Sequence, residues 1–302
     1  MSAPGAGAAA DRTYHEPRSV EEAVALLAEL GERAGIVAGG TDLVVAARGG
    51  RRELPDAIVA IHRLAELRGI VETADGGLRL GALVSHADLE SSALVRGRWP
   101  ALADASALVG SPATRHLGTL GGNLGNGSPA METGSPLLVY EASVELRSAR
   151  GTRTLPVRAF LLGPGRTARE RDELITAITL PAQPAGRVGG AYLRLEYRAA
   201  MEIAVVGAAV LVALDGDGRC GEARVALTAV APTCLRATGA EEALLGRLPT
   251  AEALADAAAL AAETARPIDD VRATARYRTA MVPVIVRRAI ELALRRAGEA
   301  SA

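Results

Sequence analysis

Two stretches concentrate the residue types that grip a phosphate: Ala38-Gly39-Gly40-Thr41-Asp42 and Thr119-Leu120-Gly121-Gly122-Asn123. The diphosphate of a dinucleotide lies close against the chain that holds it. Glycine lets the backbone approach without a Cβ in the way, and successive N–H groups then converge as an anion-binding nest. Thr41 adds a hydroxyl, and Asn123 offers both an amide donor and a carbonyl acceptor. In a chain with 33 glycines, the first stretch alone reads equally as a tight turn after a strand. The second continues into Leu124-Gly125-Asn126-Gly127-Ser128-Pro129, a composition poor for helix and strand alike. It predicts an extended cradle for a long polar ligand. Neither stretch carries the acidic residue about 20 positions downstream that marks a Rossmann dinucleotide fingerprint. Gly-Lys-Ser/Thr does not occur, which disfavours a P-loop.

Other reactive side chains are sparse. Cys220 and Cys234 are the only cysteines, too few for an iron–sulfur cluster, which takes four ligands. They read as plain buried thiols of a reducing cytoplasm. His15, His62, His86 and His116 are scattered without ligand spacing, so no metal site is expected. No nucleophile–base set is legible, and no catalytic residue is assigned.

The elements that must position the glycines follow from pattern. Ser19-Val20-Glu21-Glu22 reads as a capping box opening a helix, with Val20, Ala23, Leu26, Leu27 and Leu30 on one face and Gly31 as its stop. Ile36-Val37-Ala38 reads as a short buried strand feeding the first stretch, and Ile58–Ile61 as another. Val71 and Leu78–Ala82 form a hairpin turning at Asp75-Gly76-Gly77. Ala101–Leu108 and Pro136–Tyr140 read as helices, and Ser143–Arg147 and Ile175–Leu180 as strands. A rise in Pro and Gly around 181–190 marks a domain boundary. Beyond it come three antiparallel strands, Gly190–Leu195, Ile203–Leu214 and Ala223–Val230. The helices Ala240–Leu245, Ala251–Ala265 and Tyr277–Arg296 follow. Arg287, Arg288, Arg295 and Arg296 read as a solvated helix end. Residues 1–12 are expected to be disordered, 13–185 to form one domain with subdomains at about 13–65 and 66–185, and 186–302 a second.

Composition bounds the partners. A net charge of −1 supplies no field for polyanions, and an aromatic share of 2% leaves few stacking platforms, so nucleic acid is not an expected partner. The longest apolar runs, such as Val205–Leu214, fall far short of the roughly 20 residues of a membrane span. No apolar signal core precedes residue 20, and the expected location is the cytoplasm.

The Ala-Gly-Gly-Thr-Asp-Leu and Gly-Thr-Leu-Gly-Gly-Asn stretches, with the Ser-Pro that follows, resemble the medium, FAD-binding subunit of the molybdenum hydroxylases. The resemblance runs from about Tyr14 to Arg296. It passes through Leu174–Pro181, Tyr192-Leu193-Arg194, Arg198 and Glu202-Ile203-Ala204, and closes on Tyr277-Arg278, Met281 and Arg287-Arg288-Ala289. It implies an α+β protein: a two-subdomain FAD domain of the vanillyl-alcohol-oxidase (PCMH) type, then a three-stranded antiparallel sheet with a helical bundle. It implies that Ala38 to Asp42 and Thr119 to Asn123 hold the pyrophosphate and that Ser128 belongs to the cofactor site. By the same resemblance Glu132 lies near the ribityl or ribose, Ile175 offers a backbone contact near the flavin ring, Arg194 belongs to the site, and Ile203 lies against the isoalloxazine. Glu132 and Glu202 stand where relatives often have Asp, and Arg194 where xanthine dehydrogenases often have Lys; a planar fork does not replace a compact ammonium neutrally. Thr41-Asp42 looks closer to purine and aromatic hydroxylases than to carbon monoxide dehydrogenases.

The implied function is electron transfer. FAD on this chain takes electrons from a 2Fe-2S subunit and passes them to NAD or another acceptor, while hydroxylation belongs to a molybdopterin subunit, in a dimer of heterotrimers. The alternative is a self-sufficient FAD oxidase or reductase, for which His116, two residues before Gly118, would be the candidate for covalent flavin attachment.

Overall fold

The structure is a computed structural model that describes residues 12–198 and 200–299. Apart from Arg12, the expectation of a disordered start falls outside the described residues. Among the described residues, three larger sheets organise the fold, beside a two-stranded one of Leu161–Gly163 and Arg166–Thr167. The first is parallel, with Ala57–Ala60 between Thr13–His15 and Ala34–Val37. The helix Val20–Leu30 covers it with Val20, Ala23, Val24 and Leu27. Ser19 caps that helix by accepting from the Glu22 N–H at 3.1 Å. The reciprocal half of the expected capping box differs: Glu22 accepts from the Arg18 N–H instead, at 2.7 Å. Ala34–Val37 is half-buried rather than buried, because it is an edge strand.

The second sheet has five strands in the order Ile70–Glu72, Leu78–Gly81, Leu174–Leu180, Ser143–Ser148, Gly151–Pro156, all neighbours antiparallel. Alternation along Ser143–Ser148 buries Val144, Leu146 and Ser148. A cluster of short helices packs on it, with Pro100–Ala107 and Gly134–Val139 close to their expected positions.

The third sheet begins with the expected hairpins, Arg187–Leu195, Val206–Leu214 and Cys220–Thr228, each nine residues long. A fourth strand, Leu235–Arg236, completes it; two residues are too few to show a period. Val206–Leu214 is buried throughout because it is sandwiched. The long helix Ala275–Glu299, continuous through Pro283, packs on one face, and residues of the second sheet's core, including Leu137 and Leu138, approach the other. Arg278 on this helix is buried and donates to the Val205 carbonyl at 2.7 Å, the Ala229 carbonyl at 3.0 Å and Asp270 at 2.7 Å. The Arg296 end is not merely solvated, as its sequence suggests. Its guanidinium forks onto Asp104 at 2.7 and 3.0 Å and reaches the Gly190 carbonyl, tying the last helix to Pro100–Ala107. Both cysteines are free and buried, as expected for plain thiols.

Candidate functional site

The first glycine stretch leaves the carboxyl end of Ala34–Val37. Gly40 adopts φ +70°, and the eight-residue helix Thr41–Arg48 starts directly after it without a side-chain cap. This helix is absent from the sequence reading, although Asp42 in its first turn is a fair start signal. A helix beginning this way leaves its first N–H groups without intrahelical acceptors. Among the described residues, the backbone N–H groups of Gly39, Gly40, Thr41 and Asp42 have no bonded acceptor. Free donors at a helix start, with the dipole behind them, form an anion site.

The second stretch differs from the extended cradle its composition predicts: Leu120–Asn126 is a helix. Tertiary packing overrides the weak propensity of Gly121, Gly122 and Gly125. Leu120 and Leu124 are fully buried, and Gly121 lies so close to Ala82 that a Cβ would fall 2.7 Å from the Ala82 carbonyl oxygen. The Thr119 hydroxyl caps the Gly122 N–H at 3.1 Å, while Leu120 and Gly121 donate to the Val84 and Ala82 carbonyls, each at 2.9 Å. The N–H groups from Leu120 to Asn123 are thus spent inside the protein, and Gly122 and Gly125 leave this helix without side chains at the contact.

The two stretches meet. A Cβ on Gly39 would stand 1.8 Å from the Leu117 carbonyl oxygen, so the two backbones touch there. Thr41 Oγ1 lies 3.6 Å from the Cβ position of Gly118, and the Ala38 methyl 3.9 Å from that of Gly122. Ile175 joins them: its Cδ1 lies 3.3 Å from the Cβ position of Gly125, at a bulge where its strand shifts register. Asn123 faces the next segment and accepts from the Thr133 hydroxyl at 2.7 Å, while Ser128 accepts from the Ala130 N–H at 3.3 Å.

Glu132 and Arg194 form a second cluster, inside the protein. Glu132 is 6% exposed, and its Oε1 accepts from Arg194 at 2.6 Å while its other oxygen accepts from the Tyr192 hydroxyl. Arg194 also donates to the carbonyls of Leu108 and Glu202, at 3.0 and 3.1 Å, and to Glu196. Burial pushes the Glu132 carboxyl above its usual range despite the opposing pull of Arg194, and burial beside Glu132 pushes the Tyr192 phenol up as well. Both carboxylate oxygens therefore face the chain itself. Arg194 is bonded to the backbone of Glu202, whose own carboxylate pairs with Arg198 at 2.9 Å. Next to it Ile203 is 51% exposed, an apolar side chain facing outward before Val206–Leu214 begins. His116 is exposed and held by a bond between Nδ1 and the Pro112 carbonyl, 2.8 Å long.

Residues 8–183 match the family described as FAD binding domain in molybdopterin dehydrogenase, and residues 191–293 the CO dehydrogenase flavoprotein C-terminal domain. The chain is 39% identical over 280 residues to the carbon monoxide dehydrogenase medium chain of Hydrogenophaga pseudoflava, covering 93% of this chain and 96% of that one. It is 33% identical over 289 residues to the xanthine dehydrogenase FAD-binding subunit of Escherichia coli O157:H7, covering 95% and 97%. A chain of reconstituted CO dehydrogenase from Oligotropha carboxidovorans superposes with a TM-score of 0.90 at 35% identity, covering 98% of this chain and 100% of that one. Overall identity thus does not follow the leaning of Thr41-Asp42 toward purine hydroxylases.

Proposed function

The chain belongs to the family of FAD-binding subunits of molybdenum hydroxylases, and from that premise we propose that it grips FAD at the seam of its two glycine stretches and relays electrons between partner subunits. The observation that carries the reading is the junction itself. N–H groups from Gly39 to Asp42, without a partner among the described residues, sit at a helix start, against the glycine face of a second helix. A diphosphate fits such a cradle: the first stretch supplies donors, and the second supplies closeness. Thr41 adds its hydroxyl and Asp42 its N–H, while Thr119 to Asn123 line the opposite wall.

Bound FAD supplies the redox chemistry; the protein positions the ring and sets its surroundings. Ile203 offers the exposed apolar face, and Ile175 the backbone at the bulge. Glu132 works through Arg194: the pair fixes the backbone of Glu202 and so the approach of Ile203 to the ring. Electrons arrive from a 2Fe-2S subunit and leave to NAD or another acceptor, and hydroxylation occurs on a molybdopterin subunit. The assembly is a dimer of heterotrimers in the cytoplasm, with residues 13–185 as the FAD domain and 186–302 as the second. No helix among the described residues is long and apolar enough to cross a membrane.

The purified chain is expected to be yellow and to release about one FAD per chain on acid precipitation, because the grip consists of hydrogen bonds. Flavin that stays with the precipitate would instead mean a covalent link, and with it the self-sufficient oxidase reading.

A further inference from the structure

His86 takes no part in the cradle described so far. It opens the helix His86–Ser91, which is fixed by a capping box between Ser85 and Asp88. Its backbone N–H donates to the Gly118 carbonyl at 3.1 Å. The side chain is only 1% exposed, yet Nδ1 is buried without a hydrogen-bond partner among the described residues. An apolar residue would fill the same space without stranding a polar atom, and a stranded one is destabilising. Such an atom points to a demand on the other side of the ring.

The ring geometry says where that demand lies. A buried bare lone pair is tolerated better than a buried unpaired N–H, so the proton belongs on Nε2. Nε2 shares the ring edge with Cδ2, which lies 3.2 Å from the Cβ position of Gly118. Thr41 Oγ1 lies 3.6 Å from that same point. The Cδ2 side of the ring therefore packs against Gly118, beside the seam between the two glycine stretches, with Nε2 the next ring atom. Burial, with the Arg115 charge nearby, pushes the imidazole down to about 4, so the ring is a neutral donor at neutral pH. Thr41, close to the same point, opens the helix whose leading N–H groups, Gly39 to Asp42, lack a bonded acceptor among the described residues, donors that call for an anion.

We propose that His86 donates its Nε2–H to the diphosphate of the bound dinucleotide, as a contact residue between the two glycine stretches. The assignment rests on the FAD reading above. The test uses the full chain stripped of flavin and titrated with FAD, read by quenching of flavin fluorescence. His86→Phe fills the space without a donor, and His86→Gln keeps an N–H at similar reach. His86→Phe is expected to bind FAD about tenfold or more weakly, the loss of one hydrogen bond to a charged group. Its flavin spectrum at saturation should be unchanged, because the contact is remote from the ring, and its flavin-free thermal midpoint no lower than that of the wild type. His86→Gln should recover most of the affinity. Wild-type affinity in His86→Phe, an altered flavin spectrum, or His86→Gln as weak as His86→Phe would each overturn the assignment. A wild-type chain that does not bind FAD at all would overturn the FAD reading itself, and this contact with it.

Discussion

Gly40→Val strips FAD from the chain and leaves the chain folded. Gly40 sits at φ +70°, where a β-branched residue is strained by about 1–3 kcal/mol. Space is not the obstacle, since no heavy atom comes nearer than 3.6 Å to its Cβ position. Valine relieves the strain by turning the backbone, and that turn re-aims the N–H groups of Gly40, Thr41 and Asp42 away from one another. Losing two charge-assisted hydrogen bonds, each about 1.5–3 kcal/mol, weakens binding by about a hundredfold or more. Flavin content after gel filtration measures it, with circular dichroism for the fold. Gly39→Ala is the contrasting variant: its Cβ would collide with the Leu117 carbonyl at 1.8 Å, so the two stretches part and stability falls together with flavin. Full flavin content in Gly40→Val would remove the first stretch from the diphosphate site.

Arg194→Met is expected to cost about 3–5 kcal/mol of stability at neutral pH, because it strands the Glu132 carboxylate inside the protein. The Arg194 side chain is 1% exposed and that of Glu132 7%, so water cannot take over for the missing partner. The sign of the pH dependence follows from Glu132. Its carboxyl is already raised in the folded chain by burial, and Arg194 is the largest influence pulling it down. Without Arg194 it rises further. A folded-state value above the unfolded one means the penalty is absent below the unfolded value, about 4.3, and grows as pH climbs through the folded value. The deficit of Arg194→Met relative to wild type should therefore be smaller at pH 5 than at pH 8, in urea melts at both. Adding Glu132→Gln should recover most of it. Equal deficits at both pH values and no recovery would show that Arg194 acts through packing alone.

How much was legible in the sequence depended on whether a residue's environment was local. The strands Arg187–Leu195 and Val206–Leu214 and the helix Ala251–Thr264 announce themselves because each carries its own apolar pattern between clear stops. The order of the central sheet does not: Leu174–Leu180 lies between Leu78–Gly81 and Ser143–Ser148, and nothing within those strands names the neighbour. Leu120–Asn126 misleads for the same reason, since its helix is imposed by Ala82 and Val84, far away in the chain. Glu132 and Arg194 stand out only through family resemblance, and the resemblance does not reveal that they bond to each other. His86 did have a local signal. Ser85-His86-Ala87-Asp88 is a capping motif that puts His86 at a helix start, but its burial against Gly118 comes only from the fold.

A relay whose chemistry is handled by other subunits must travel with them. Affinity purification of the tagged chain from its native host, followed by flavin, iron and molybdenum analysis of the purified material, tests it most directly. Iron and molybdenum are expected to accompany FAD in fixed proportion, on an iron–sulfur subunit and a molybdopterin subunit. A chain that emerges alone with its FAD, free of both metals, and oxidises a substrate by itself would contradict it.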